Sequence, residues 1–155
     1  MPSVLGSTPI DYRSFLSYHS LMPSKKHKPL PELGKLERAV LEHLWRAGEA
    51  DVIETHQAIG ARRGITVNTV GSALERLHRK GLVTRWKVSH AYRYQPTLNR
   101  ENFVVRQMVD GAGGMRSLTS RGLLASFLDF VAEADDAALD ELEELIARKR
   151  KGGQK

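Results

Sequence analysis

Between Pro31 and Pro96 the apolar residues recur at helical spacing in three successive runs, and a glycine closes each run. Leu36, Val40, Leu41 and Leu44 share one face of a first helix, which Gly48 stops. Asp51 is placed to cap a second helix through Val52, Ile53 and Ile59 that Gly60 ends, and Thr66 to cap a third that runs to Lys80 with Gly81 as its stop. The period then disappears. LVTRWKV at 82–88 and AYRYQP at 91–96 are rich in β-branched and aromatic residues, separated by Ser89 and His90, which predicts a two-stranded hairpin closed by Pro96.

Few architectures accept that order of elements. Three short helices followed by a hairpin make a winged helix-turn-helix, whose second motif helix enters the major groove of DNA while the hairpin lies along the backbone or the minor groove. The expected fold class is therefore mainly α with a small β-hairpin wing. When the third helix is projected at about 100° per residue, Val70, Ala73, Leu74 and Leu77 face the other helices. Asn68, Ser72, Glu75 and Arg79 lie opposite, flanked by Thr69 and Arg76. The N-terminal part of such a helix meets base edges, so Asn68, Thr69 and Ser72 are the candidates for base readout. Asparagine can pair in a bidentate way with adenine, and the Thr69 methyl can meet a thymine methyl. Arg76, Arg79 and Lys80 lie further along, and Arg85, Lys87, His90 and Arg93 lie on the hairpin, where charge can meet phosphates. Gly71 costs roughly 1 kcal/mol inside a helix relative to alanine, and either close approach to DNA or close approach to a neighbouring helix would account for it.

The charge distribution agrees with that division. A net charge of +6 over 155 residues is mild, but residues 62–93 carry eight arginines and lysines against Glu75 alone. Residues 31–60 carry three bases and six acids, so the positive charge is concentrated where the third helix and the wing are expected.

Residues 1–30 show no sustained period and are expected to be a disordered tail, with Met22 an alternative start that would leave a short basic arm. The winged-helix domain is expected over 31–98, a helical dimerisation domain over 99–151 and a flexible end at 152–155. In the second domain Val104, Val105, Met108 and Val109 form one stripe before the GAGG break at 111–114. Leu123, Leu124, Phe127, Leu128 and Val131 form another. A last helix starts at Asp135 or Asp136, carries Leu139, Leu142 and Ile146 on one face, and ends in Arg148, Lys149, Arg150 and Lys151, the order a helix dipole favours. Stripes this apolar on so few helices are most economically buried across a two-fold axis, which predicts a homodimer. Antiparallel packing onto the first domain is the alternative.

LGKLERAVLEHLW at 33–45, TVNTVGSALERLHRKGLV at 66–83 and YRYQPTL at 92–98 together resemble the penicillinase-repressor family, BlaI/MecI-like proteins with the copper-responsive CopY as a relative. The likeness spans roughly residues 22–151. It implies a dimeric repressor on an inverted-repeat double-stranded DNA operator, with its DNA-reading helix at 66–79. In the resistance repressors of that family a membrane sensor leads to proteolysis at an asparagine-phenylalanine bond. The matching position here is Ser126-Phe127, which keeps the phenylalanine and makes this pair the candidate cleavage point of a sensor-protease pathway. Copper sensing through the family's cysteine motif is excluded, because the chain has no cysteine. The wing turn carries Ser89-His90 where the family usually has a glycine.

Other functions find little support. The histidines, His19, His27, His43, His56, His78 and His90, include no pair at i, i+4, so neither metal nor cofactor is expected. The acids between Asp135 and Glu144 read as caps and a solvated face, and no phosphate loop, nucleophile elbow or triad accompanies them, so an enzyme is not expected. With no membrane-length apolar run and no secretory signal, a cytoplasmic protein without membrane insertion is expected. The rival function is a winged-helix adaptor whose basic face meets an acidic protein partner without reading DNA sequence.

Overall fold

The computed structural model describes residues 28–153, so the readings of residues 1–27, including Met22, His19 and His27, and of the last two residues lie outside it. Helix α1, Lys35–Ala47, starts where the Gly34 N–H donates to Glu37 Oε2 at 2.9 Å. It ends at Gly48, whose φ of 81° is cheap only for glycine. Val40, Leu41 and Leu44 are fully buried on one face.

A short strand follows, β1 at Ala50–Asp51, and with the wing strands β2, Val83–Val88, and β3, Ala91–Pro96, it makes an antiparallel sheet of order β1-β3-β2. The hairpin expected from sequence is thus extended by a third strand. Ala50 pairs with Tyr94 and Asp51 with Arg93, while Val88 and Ala91 flank the turn of the β2–β3 ladder. Two residues are too short to show a period, and Asp51 also performs its expected task, accepting the Glu54 N–H at 2.8 Å as N-cap of α2.

Helix α2 differs from expectation in its stop. It begins at Val52–Thr55, widens through a π-helical turn at His56–Gly60, tightens at Ala61–Arg63 and ends at Gly64 with φ 63°. Gly60 keeps helical backbone and is a packing glycine. A Cβ there would sit 2.6 Å from the His56 ring and 3.1 Å from a Val70 methyl, so only a bare Cα lets α2 approach the next helix. Of the apolar residues along it, Ile53 is 51% exposed, whereas Ile59 is buried.

Helix α3, Val67–Arg79, is capped by the Thr66 hydroxyl, which accepts the Thr69 N–H at 3.2 Å, and leaves through Gly81 with φ 72°. Val70, Ala73, Leu74 and Leu77 are fully buried against α1, and Leu82, Val83 and Tyr94 close the core from the sheet.

Helix α4, Arg100–Gly111, docks onto this core through Phe103, which is 3% exposed with its ring centroid 5.2 Å from that of Trp45. The Trp45 indole N–H donates to the Leu98 carbonyl at 2.7 Å and fixes the junction. Within one chain Phe103, absent from the expected stripe, and Val109, part of it, are buried, while Val104, Val105 and Met108 are exposed. Lys28 and Leu30 are held against α4 as well, through Arg106 Nη2 on the Lys28 carbonyl at 3.2 Å and the Leu30 N–H on Asp110 Oδ2 at 2.7 Å.

A short helix α5, Met115–Leu118, leads into α6, Arg121–Ala134, and α7, Asp136–Gly152, which begin at the caps Ser120 and Asp135. The last two pack against each other, and none of the three contains a buried residue. Among the described residues no helix is long and apolar enough to cross a membrane.

Candidate nucleic-acid interface

Because its inner stripe is locked into the core, α3 presents the opposite face outward. Asn68, Thr69 and Ser72 are exposed there, in the N-terminal half of the helix. Thr69 Oγ1 lies 2.9 Å from Thr66 Oγ1, so its hydroxyl is engaged with the cap. Asn68 and Ser72 make no side-chain hydrogen bond among the described residues and line an open groove of about 620 Å³ with Val52, Gly71, Glu75 and Arg79. At Gly71 a Cβ would meet only the Val52 methyls, at 3.5 and 3.9 Å, which is ordinary contact. Packing against α2 does not require glycine at that position.

The cations expected to grip phosphate fall into two sets. Arg79, Lys87 and His90 are exposed, and no ion pair holds them among the described residues. Arg76, Lys80, Arg85 and Arg93 are already held by carboxylates. Arg76 Nε donates to Glu37 Oε1 at 3.1 Å, and Lys80 Nζ donates to Glu37 Oε2 and to the Glu32 carbonyl, both at 2.7 Å. Arg93 reaches Glu49 at 2.9 Å and Glu54 at 3.3 Å. Arg85 pairs with Glu75, and its guanidinium lies 4.4 Å from the centroid of the Tyr92 ring.

Two carboxylates organise these contacts. Glu37 is only 4% exposed. Burial by itself would raise its pKa, but hydrogen bonds from Lys80 and the Gly34 N–H, with the Lys80 charge, outweigh burial and hold it below the usual carboxylate value. It joins the start of α1 to the end of α3. Glu75 is likewise lowered, first by the hydrogen bond from Tyr94, whose hydroxyl donates to Oε1 at 2.6 Å, and then by Arg85. The Tyr94 phenol is pushed up to about 12 by burial and by the Glu75 carboxylate beside it. The role of Glu37 was not read from the sequence, since its partners lie about forty positions away. A sole acid in a basic run was the available signal for Glu75.

Arg62 and Arg63, in the turn before α3, are exposed. Their charge was legible in the sequence. Ser126 and Phe127 lie within α6, on its exposed surface. The other residues read as a dimerisation face are distributed over α6 and α7. Leu123, Leu124, Leu128 and Ile146 are exposed, and Val131, Leu139 and Leu142 are partly covered by the packing of the two helices. No group of side chains suited to holding a metal occurs among the described residues.

A family model described as Penicillinase repressor matches residues 33–148. "Transcriptional regulator BlaI" of Mycobacterium tuberculosis (strain CDC 1551 / Oshkosh) is 39% identical over 121 residues, covering 74% of this chain and 87% of that protein. The protein of the same description in strain ATCC 25618 / H37Rv matches to the same extent. The solution structure of the DNA binding domain of the repressor BlaI superposes with a TM-score of 0.44 at 20% identity, over 49% of this chain and 93% of that one.

Proposed function

The chain belongs to the penicillinase repressor family, whose members are DNA-binding transcriptional repressors, and we propose that it works as a cytoplasmic homodimer on an inverted-repeat operator. In this reading α3 lies in the major groove. Asn68 and Ser72 contact base edges, the Thr69 methyl makes an apolar contact, and Arg79, Lys87 and His90 contact phosphates, with Arg62 and Arg63 beside them. Arg76 adds to that grip through the guanidinium nitrogens that Glu37 does not use. The chemistry is binding, with no bond made or broken by the protein.

The observation that carries the reading is the exposed polar face at the start of α3, where Asn68 and Ser72 keep their hydrogen-bonding groups uncommitted while the same helix is anchored in the core. Selection of bound sites from random DNA tests it, followed by titrations on matched and scrambled duplexes at several salt concentrations. A palindromic site with a marked specificity ratio is expected. Weak binding without sequence preference would favour the adaptor function instead. Asn68→Ala or Ser72→Ala should cost on the order of 1–3 kcal/mol at particular base positions, and Lys87→Ala should weaken binding to every sequence and flatten its salt dependence. An unchanged base preference in Asn68→Ala would sink the readout assignment.

Dimerisation is supported by α6 and α7, which leave Leu123, Leu124, Phe127, Leu128, Leu145 and Ile146 uncovered in one chain. A second copy that buries them would turn the second half-site contact into an intramolecular step. Release then follows from anything that parts the arms. Cutting at Ser126-Phe127 would do so by splitting α6 and detaching its C-terminal half with α7, and mass spectrometry of the protein from induced cells would show the two fragments.

A further inference from the structure

Glu75 is the sole acid between residues 62 and 93, and it stands on the outward face of α3 beside Ser72 and Arg79. A bare carboxylate there would repel phosphate. Here one of its oxygens, Oε1, takes both the Tyr94 hydroxyl at 2.6 Å and the Arg85 guanidinium, whose charge offsets its own. Tyr94 is 2% exposed and sits in the middle strand, opposite Ala50 of β1 and Arg85 of β2. One carboxylate therefore ties the reading helix to both strands of the wing. Stacked on Tyr92 and paired with Glu75, Arg85 has its charge directed along the sheet toward the helix. An unpaired arginine at the same position would be available to any phosphate.

We propose that Glu75 is a positioning residue: it sets the angle of the wing to α3 and holds Arg85 out of the phosphate contacts, which lowers sequence-independent affinity and raises the specificity ratio. The proposal rests on the DNA-binding function above. A purely structural role for Glu75 would alter stability without altering how binding depends on salt. Each phosphate neutralised on duplex DNA contributes a slope of about −0.9 in log K against log salt, so the two roles are separable.

The experiment uses the full-length protein and a mixed-sequence DNA duplex titrated at several salt concentrations. Glu75→Gln keeps an oxygen for the Tyr94 hydroxyl and loses the charge. It should bind several-fold more tightly at low salt with a slope steeper by about 0.9, and adding Arg85→Ala should restore the original slope. Tyr94→Phe keeps the buried ring, loosens the carboxylate, and should steepen the slope by a smaller amount in the same direction. It decides the matter if Glu75→Gln melts early. Slopes unchanged in both variants would overturn the proposal. Failure of the unaltered protein to bind the duplex at all would overturn the DNA-binding function itself, and the role of the clamp with it.

Discussion

The winged-helix core and the α6–α7 arm are both built from helices that carry apolar residues at helical spacing, and those residues meet different fates. Leu74 and Leu77 of α3 are fully buried within one chain, whereas Phe127 and Leu128 of α6 remain 42% and 43% exposed. An apolar stripe states that a surface must be covered, but it does not say by which molecule. The core helices satisfy theirs locally because short glycine turns fold them back on one another. Among the described residues the arm helices pack mainly on each other. The largest expected effect therefore belongs to the core: Leu74→Ala should cost about 2–5 kcal/mol in a denaturant titration. A loss below 1 kcal/mol would mean that the two regions differ less than their burial implies.

Next in size is the arm. Phe127→Glu should leave the melting of the winged-helix core nearly unchanged and weaken self-association by roughly tenfold or more, equivalent to about 1.4 kcal/mol or above. Sedimentation at several protein concentrations measures it. A monomer both before and after the substitution would break the comparison, since the arm would then have no second copy to meet.

The comparison also explains what could be read from the sequence. Helices α1 and α3, with their caps at Gly48, Thr66 and Gly81, were legible because period and punctuation agree there. The exposed outward face of α3 followed from its buried one. Gly60 misled, because a glycine that admits a neighbouring helix looks in sequence like one that ends its own. On α4, Phe103 was missed because its partner Trp45 lies far away in the chain. The pairing of Arg76 and Lys80 with Glu37 was hidden for the same reason. A run of cations shows where charge is concentrated, while its commitments depend on contacts between distant residues.

Acid sharpens the difference between paired and unpaired charge. Glu37 and Glu75 both have lowered folded values, so their stabilisation is present above the ordinary 4.5 and is lost as pH falls through those lower values. Melting temperatures recorded from neutral pH downward should drop below 4.5, and Glu37→Gln should flatten that drop while lowering stability near neutrality. An equally steep acid limb in Glu37→Gln would show that this buried carboxylate is not what the low-pH transition reports.

The smallest expected effect tests the one position in the core region where local stability and the outward face pull apart. At Gly71 alanine should raise helix stability by up to about 1 kcal/mol. The added methyl has room against Val52, at 3.5 Å from the nearer carbon. It also lies at the edge of the groove between Asn68 and Glu75, where a base edge would have to fit. Gly71→Ala should therefore melt higher and bind operator DNA more weakly, two changes of opposite sign from one methyl group. Lower melting would return the glycine to helix packing, with Val52 unable to yield. Higher melting with undiminished binding would remove it from the DNA contact and leave its helical cost unexplained by either neighbour.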